Sequence, residues 1–272
     1  MSEKIKVKLN GTAETMLQSF YARAKYSKNK EHKFYDAKAV ELVEKIDYDF
    51  SLAESDSTMS DGVIARTLVF DELVKRFIYE NPGCTVVNIA CGLDTRFYRM
   101  NNGNLKWFNL DLPEIIEIRN EIFNEAGRVV NVGCSVLDSE WVKNINVSGK
   151  VLFVVEGLSM YLTRKENAKM LEIIRKNFSG ATDMLECLAK RWVNREKIEK
   201  SIQNTGAKFI FGADSFEDIA DIACGFRKIK DDNITRGMIA LHPILKLFEK
   251  LPVVDKMTEK ILIFENDTHC NV

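Results

Sequence analysis

Two rhythms of apolar and polar residues divide the chain. Residues 12–80 read as mostly helical, interrupted by an acidic, serine-rich stretch at 47–61. From residue 85 onward, short apolar runs rich in β-branched and aromatic residues take over. They are TVVNIA (85–90), LKWFNL (105–110), VVNVGC (129–134), KVLFVV (150–155) and TDMLECL (182–188). Helical stretches at 113–126 and 163–178 lie between them. Strands that alternate with helices predict βαβ units and a parallel sheet, since parallel neighbours need a crossover connection.

Two of these helices carry start and stop signals. Pro113 suits a first turn, where its missing N–H has no partner to lose. Ile115, Ile118, Ile122 and Ala126 then follow helical spacing up to Gly127. Thr163 and Glu166 form a capping box, in which each side chain satisfies a free backbone N–H. Met170, Leu171, Ile174 and Phe178 continue that buried stripe, and Gly180 stops it. The last third predicts helices at about 190–203, 215–222 and 240–250, and a late strand KILIFE at 260–265. Without a linker, residues 1–272 read as a single unit. A helical lid (1–80) precedes a ligand-binding core (81–188), and acceptor-side helices with the final strands (189–272) follow.

The strongest chemical signal is VVNIACGLDTR, an apolar strand running into small residues. Ala90, Cys91 and Gly92 let backbone N–H groups approach a ligand closely, as βα turns of nucleotide sites do. Asp111 ends the next strand 19 positions beyond Gly92, a placement suited to ribose hydroxyls. The spaced glycines of a dinucleotide fingerprint are absent. Asp94 and Thr95 stand in their place, so a nucleoside without pyrophosphate fits better. Glu156 follows five apolar residues, at the sheet edge where open α/β folds bind ligands. Arg66 shares a helix face with Phe70, Leu73 and Phe77, and an arginine in an apolar stripe wants an anion. That anion is either a ligand or one of the chain's own acids.

Composition removes several classes. Lys and Arg number 39 against 40 Asp and Glu, for a formal net charge of −1 and a pI near 6.4. A nucleic-acid binder normally shows a basic excess. The longest purely apolar run, 151–155, falls far short of the roughly 20 residues a membrane span needs. The start lacks the apolar segment of a secretory signal. Six cysteines without C-x-x-C spacing read as reduced thiols of a cytoplasmic protein. His32, His242 and His269 are isolated, so no protein-bound metal is expected.

Several blocks resemble, in order, the family of leucine carboxyl methyltransferases and tetracenomycin-type polyketide O-methyltransferases. They are AETMLQSFYARA (13–24), FYDAKAVELVEKIDYDF (34–50), VVNIACGLDTRFYRM (86–100), NLDLPEIIEIR (109–119), CSVLDSEW (134–141), EGLSMYLT (156–163) and TGAKFIFG (205–212). The resemblance implies a Rossmann-like, class I methyltransferase fold. Its mostly parallel seven-stranded sheet carries helices on both faces and a helical N-terminal lid. It also implies S-adenosylmethionine as cofactor and methyl transfer to a carboxylate, or similar oxygen, of a small polyketide-like acceptor.

Carried onto this chain, the resemblance gives Arg66 the carboxylate of the cofactor's methionine part and lays Ala90–Gly92 beneath that part. Asp111 takes the ribose, Ser135 and Val136 flank adenine, and Glu156 sits near the methionine amino end. Ala90 replaces the family's usual first glycine. Ser135 stands where some members have an acid, and Asp138 matches that acid better. Tyr21, Arg23 and Tyr161 are candidates for the acceptor side, with Arg23 able to pair with an acceptor carboxylate. Such a carboxylate is already ionised at neutral pH and needs no general base. Two other readings of the strand–turn–Asp pattern are a nicotinamide-dependent oxidoreductase and a non-catalytic nucleoside-binding module.

Overall fold

The computed structural model describes residues 4–7, 14–29, 31–125, 127, 129–195 and 207–267. Seven strands form one sheet: β3 (Thr85–Ile89), β4 (Lys106–Asp111), β5 (Val129–Gly133), β6 (Val151–Val155), β7 (Thr182–Cys187), β8 (Phe226–Asn233) and β9 (Lys260–Asn266). Two-residue strands β1 (Ile5–Lys6) and β2 (Ile46–Asp47) pair separately. The order across the main sheet is β5-β4-β3-β6-β7-β9-β8. Neighbours from β5 to β7 are parallel, while β9 runs antiparallel to both β7 and β8. The chain winds outward from β3 to β5 and then restarts on the other side of β3 with β6. That reversal opens a crevice at the carboxyl ends of β3 and β6.

Helices cover both faces, as expected. α4 (Ser57–Glu80) presents Val69, Phe70, Val74 and Ile78 to one face, against Val86, Trp107, Leu152 and Ile263. α7 (Arg164–Asn177) presents Met170, Leu171 and Ile174 to the other, against Phe153, Val155 and Leu185. The Thr163–Glu166 capping box forms at its start. α1 (Glu14–Ser27) and α2 (Ala37–Val43) make the lid. Leu17, Phe20, Ala39 and Leu42 pack on Leu93 and on Ile122 and Phe123 of α6 (Pro113–Phe123), which follows the short α5 (Arg96–Met100). The lid thus rests directly on the turn after β3.

Five boundaries differ from the sequence expectation. The break at 47–61 shortens to residues 47–50 and Asp56; Asp56 separates α3 (Ser51–Ser55) from α4 and caps α4 by accepting from Met59 N at 3.0 Å. α6 stops at Phe123 because Asn124 adopts a left-handed conformation (φ 50°), a role asparagine tolerates; Ala126 lies outside the described residues. The helix expected at 190–203 begins as a single 3-10 turn, Lys190–Trp192, and 196–206 lie outside the described residues. The 215–222 helix is the 3-10 turn Phe216–Ile219. The 240–250 helix is split into Thr235–Leu241 and the 3-10 stretch Pro243–Phe248. Pro243 forces that split, since the residue before proline is disfavoured in the helical region. The apolar pattern gives no sign of β8. Its sequence, FRKIKDDN, is charged because it is the edge strand, and charge protects an open edge from further pairing.

Candidate active site

A cavity of about 450 Å³ lies over the carboxyl ends of the strands, between them and helices α1 and α4. Arg66, Ala90, Gly92, Asp111, Ser135, Val136 and Glu156 all line it, so seven sequence candidates share one wall. Arg23 and Tyr161 line it as well. Asp138 and Tyr21 do not. Asp138 caps the 3-10 helix Ser139–Asn144 instead, accepting from Glu140 N at 3.1 Å. Tyr21 stacks on Phe50 at 4.5 Å and donates its hydroxyl to Glu54. Burial and that carboxylate push its phenol up to about 12.

The turn after β3 is held from several sides. Ala90 (φ 51°) and Gly92 (φ 45°) both adopt left-handed backbone. A side chain at Gly92 would meet the Met16 Cβ at 3.1 Å, so glycine permits the lid's close approach. Gly92 N donates to Asp111 Oδ2 at 2.7 Å and Leu112 N to Oδ1 at 2.8 Å. Each Asp111 oxygen therefore spends one lone pair on the backbone and keeps another for a ligand hydroxyl. Burial raises the Asp111 pKa, and the two N–H bonds oppose that rise. Arg119 Nη1 donates to the carbonyls of Gly92 and Asp94, each at 2.9 Å, and Arg23 Nη2 donates to that of Leu93 at 3.0 Å.

Arg66 and Glu156 belong to a chain of ion pairs running from the lid into the crevice. Arg23 reaches Asp36 at 3.3 Å, and Asp36 also accepts from Arg99 at 2.9 Å. Arg99 meets Asp71 at 2.6 Å, and Asp71 meets Arg96 at 2.8 Å. Arg96, only 2% exposed, also holds Asp94 (2.8 Å) and Glu156 (2.7 Å). Glu156 then takes Arg66 at 2.9 Å, and Arg66 takes Glu186 at 3.2 Å. Glu186 closes the chain by accepting from Gly157 N at 2.5 Å. Burial works against the Asp94 carboxylate, yet Arg96, Arg99 and Arg23 hold its pKa well below the usual range.

The β5 end of the cavity is shaped by Cys134, Ser135, Val136 and Leu137. Fully buried Trp141 donates to the Val136 carbonyl at 3.2 Å and stacks on Phe178, which fixes that loop to the core. At the opposite end, Tyr161 packs on Phe209 with ring centroids 5.5 Å apart. The 207–213 segment is held there by Ile210 N and Phe211 N donating to the Met160 carbonyl. Burial pushes the Cys91 thiol well up and raises that of Cys134. The two lining cysteines are therefore neutral thiols, not nucleophiles. Among the described residues no His, Cys, Asp or Glu group is arranged to hold a metal ion, and no helix is long and apolar enough to cross a membrane.

Sequence reasoning missed Asp94, Arg96, Arg99, Glu186 and Glu259. Glu186 had a readable signal, a carboxylate interrupting the apolar run TDMLECL near its carboxyl end. Of the arginines' acidic partners, Asp36, Asp71 and Glu156 lie 25 to 63 residues away and leave no local signal, whereas Asp94 stands two residues before Arg96.

A switch-point crevice that combines an acid ending β4, a small-residue turn after β3 and an acidic wall suits a cationic nucleoside. Fold and crevice together define a class I S-adenosylmethionine-dependent methyltransferase. The chain belongs to the leucine carboxyl methyltransferase family, whose model matches residues 15–175. It is 30% identical over 207 residues to the tetracenomycin polyketide synthesis O-methyltransferase TcmP of Streptomyces glaucescens, covering 76% of this chain and 77% of TcmP. It is 33% identical over 193 residues to the S-adenosyl-L-methionine-dependent methyltransferase dpfgK of Gibberella zeae, covering 65% and 64%. Magnesium protoporphyrin IX methyltransferase from Synechocystis, solved with bound SAH, shares the fold. Its TM-score is 0.51 at 11% identity, over 78% of this chain and 88% of that one.

Proposed function

We propose that this methyltransferase transfers the methyl group of S-adenosylmethionine to an oxygen of a small, polyketide-like acceptor. One observation carries the assignment of the site. Ser135 after β5, Asp111 at the end of β4, the Ala90–Gly92 turn after β3 and Glu156 after β6 line a single cavity in the order of the strands. Laid along that edge, the nucleoside's adenine meets Ser135 and Val136, its ribose meets Asp111, and its methionine part meets the turn, Arg66 and Glu156. The wall itself supports a cation. Asp94, Asp111, Glu156 and Glu259 face the cavity against Arg23 and Arg66. The acceptor class is supported by TcmP, whose name places it in polyketide synthesis.

When bound, the cofactor supplies a methyl group on a sulfonium, which an oxygen nucleophile takes in line as sulfur leaves with the electron pair. The protein's part is positioning, worth roughly 7–11 kcal/mol of a barrier when reacting groups are well aligned. Asp111 and Glu156 fix two points of the nucleoside, and the ion-pair chain keeps Glu156 from moving. The lid helix α1 rests on the turn through Met16, beside the Gly92 backbone. Calorimetry with S-adenosylhomocysteine tests the reading. Binding at micromolar concentration that weakens at least tenfold in Asp111→Ala is expected, and no heat of binding in the unmodified protein overturns it.

A further inference from the structure

Helix α4 works on two sides at once. At about 100° per residue, Met59, Val63 and Arg66 share one face, and all three line the cavity. Asp61, Ala65 and Glu72 share another, turned about 150° from the first. Against that second face lies the helix Thr235–Leu241, a buttress held at both ends. His242 Nε2 pairs with Asp61 at 2.7 Å, and Arg236 Nε donates to Glu72 at 3.2 Å. Between these contacts Gly237 is buried against the backbone of Ala65, itself fully buried.

We propose that Gly237 is a positioning residue for the methyl transfer. With no side chain, it lets the buttress set how far the first half of α4 leans over the crevice, and so where Arg66 stands. Its role rests on the cofactor assignment made above, in which Arg66 meets the methionine part.

The approach at Gly237 leaves no room for a methyl group. A Cβ there would fall 2.7 Å from the Ala65 carbonyl carbon and 2.8 Å from its Cα, and nearer still to the oxygen. Carbon atoms in contact sit about 3.5–4.0 Å apart, so one of the two backbones must give way by about 1 Å.

The buttress is the fixed side. It continues directly from β8, whose Asn233 is in register with Lys260 of β9. Ile234 N donates to the Glu259 carbonyl at 3.2 Å and Thr235 N to Asn233 Oδ1 at 2.9 Å, so Gly237 cannot retreat without pulling on the sheet. α4, by contrast, packs on the sheet through Val69, Phe70, Val74 and Ile78, all in its second half. Its first half borders the crevice and contains Gly62, a residue that weakens a helix interior. The half that yields is therefore the one carrying Arg66. Because the two faces are nearly opposite, a push from the buttress drives Arg66 toward the crevice and off its fork between Glu156 (2.9 Å) and Glu186 (3.2 Å). Binding groups need to be held within about 0.5 Å, so a displacement of this size is felt by the ligand.

Calorimetry with two ligands separates positioning from a general loosening. S-adenosylhomocysteine carries the amino-acid part that Arg66 meets; 5′-methylthioadenosine keeps the nucleoside and its sulfur but lacks that part. Alanine is a better helix former than glycine, so a loss in Gly237→Ala comes from the contact and not from the helix. Gly237→Ala is expected to weaken S-adenosylhomocysteine about tenfold and methylthioadenosine less than about twofold. Gly62→Ala, which adds a methyl to α4 where nothing lies within 4 Å, is expected to change neither. Equal weakening of both ligands, no weakening of either, or the same selective loss in Gly62→Ala overturns the proposal. Methylthioadenosine failing to bind the unmodified protein at millimolar concentration overturns it as well. Should circular dichroism show Gly237→Ala unfolded, the double variant Arg236→Gln, His242→Gln cuts both flanking contacts instead. A selective loss of S-adenosylhomocysteine affinity of about threefold is then expected, and an equal or absent loss overturns the proposal. No S-adenosylhomocysteine binding in the unmodified protein overturns the cofactor assignment itself, so the two failures are told apart.

Discussion

Asp183 is the most exposed to test of the unusual features in this fold. It lies on β7 with no solvent exposure, and neither carboxyl oxygen has a hydrogen-bond partner among the described residues. In register it faces Phe153 of β6 and Phe264 of β9. Burial alone pushes its carboxyl well above the usual range, with no neighbouring charge to oppose the rise. Leucine has the same branching as aspartate and no polar atoms. Asp183→Leu removes the desolvation of an unpartnered polar group, about 1–3 kcal/mol. In a chain of this size that corresponds to a rise in Tm of roughly 2–4 °C per kcal/mol. The gain depends on pH in a definite direction. A carboxyl whose folded pKa is raised favours folding fully only below its unfolded value, about 3.9. Above that, the folded state holds a proton the unfolded chain has released. Stability therefore falls by up to about 1.4 kcal/mol per pH unit until the folded pKa is passed. Urea unfolding of both proteins at pH 5, 7 and 9 isolates this effect, because groups common to both cancel in the difference. The stabilisation by leucine should be smallest at pH 5 and grow with pH. A leucine variant less stable than the parent, or a difference flat across the three pH values, refutes the reasoning.

Three further outcomes follow from the site. Ala90→Gly relieves a left-handed conformation that costs a non-glycine residue about 1–2 kcal/mol. It adds about 0.5–1 kcal/mol of unfolded-chain entropy, so a net gain of about 0.5 kcal/mol is expected in denaturant titration and a loss above 1 kcal/mol contradicts the turn geometry. Arg96→Gln strips one guanidinium from Asp71, Asp94 and Glu156 in a buried position. The expected destabilisation is about 3–5 kcal/mol, and a change under 1 kcal/mol by urea unfolding argues against the cluster. The depressed Asp94 pKa works in the sense opposite to Asp183. Its stabilisation is present above the unfolded value and is lost as pH falls below about 4 toward the folded one, so Asp94→Asn should flatten the acid limb of stability measured by circular dichroism.

The sheet was readable because its interior strands are apolar runs bounded by turn signals, and a parallel core buries both faces of each strand. β8 escaped because an edge strand reverses that rule: Arg227, Lys228, Lys230, Asp231 and Asp232 look like a loop until β9 is seen beside them. Site residues divide in a similar way. Gly92, Asp111 and Glu156 sit where a strand ends, and strand ends are marked locally. Arg96 and Arg99 follow the same turn but owe their roles to Asp71 and Glu156, brought near only by the order in which strands and helices pack. Asp138 misled because an acid shortly after a strand also caps a helix, and the local pattern is the same for both tasks.

Arg66 shows how resemblance and geometry combine. The resemblance assigns it a ligand carboxylate, while the structure gives it two carboxylates of its own, Glu156 and Glu186. The two roles are compatible because a guanidinium has five donors, and these ion pairs use Nε and Nη1. What the protein's own acids do is fix the fork: Glu186 is anchored to Gly157 N, and Glu156 to Arg96. An arginine so held loses little side-chain freedom when an anion arrives, and preorganisation of this kind lowers the entropy lost on binding. The alternating chain from Arg23 to Glu186 contains Arg23, Arg66, Arg96 and Arg99 against Asp36, Asp71, Asp94, Glu156 and Glu186, leaving one carboxylate in excess. A zwitterionic amino-acid moiety with its sulfonium brings one net positive charge to that excess. On the proposed cofactor assignment, the same cluster that orients Arg66 toward an anion is completed by the cation the ligand carries.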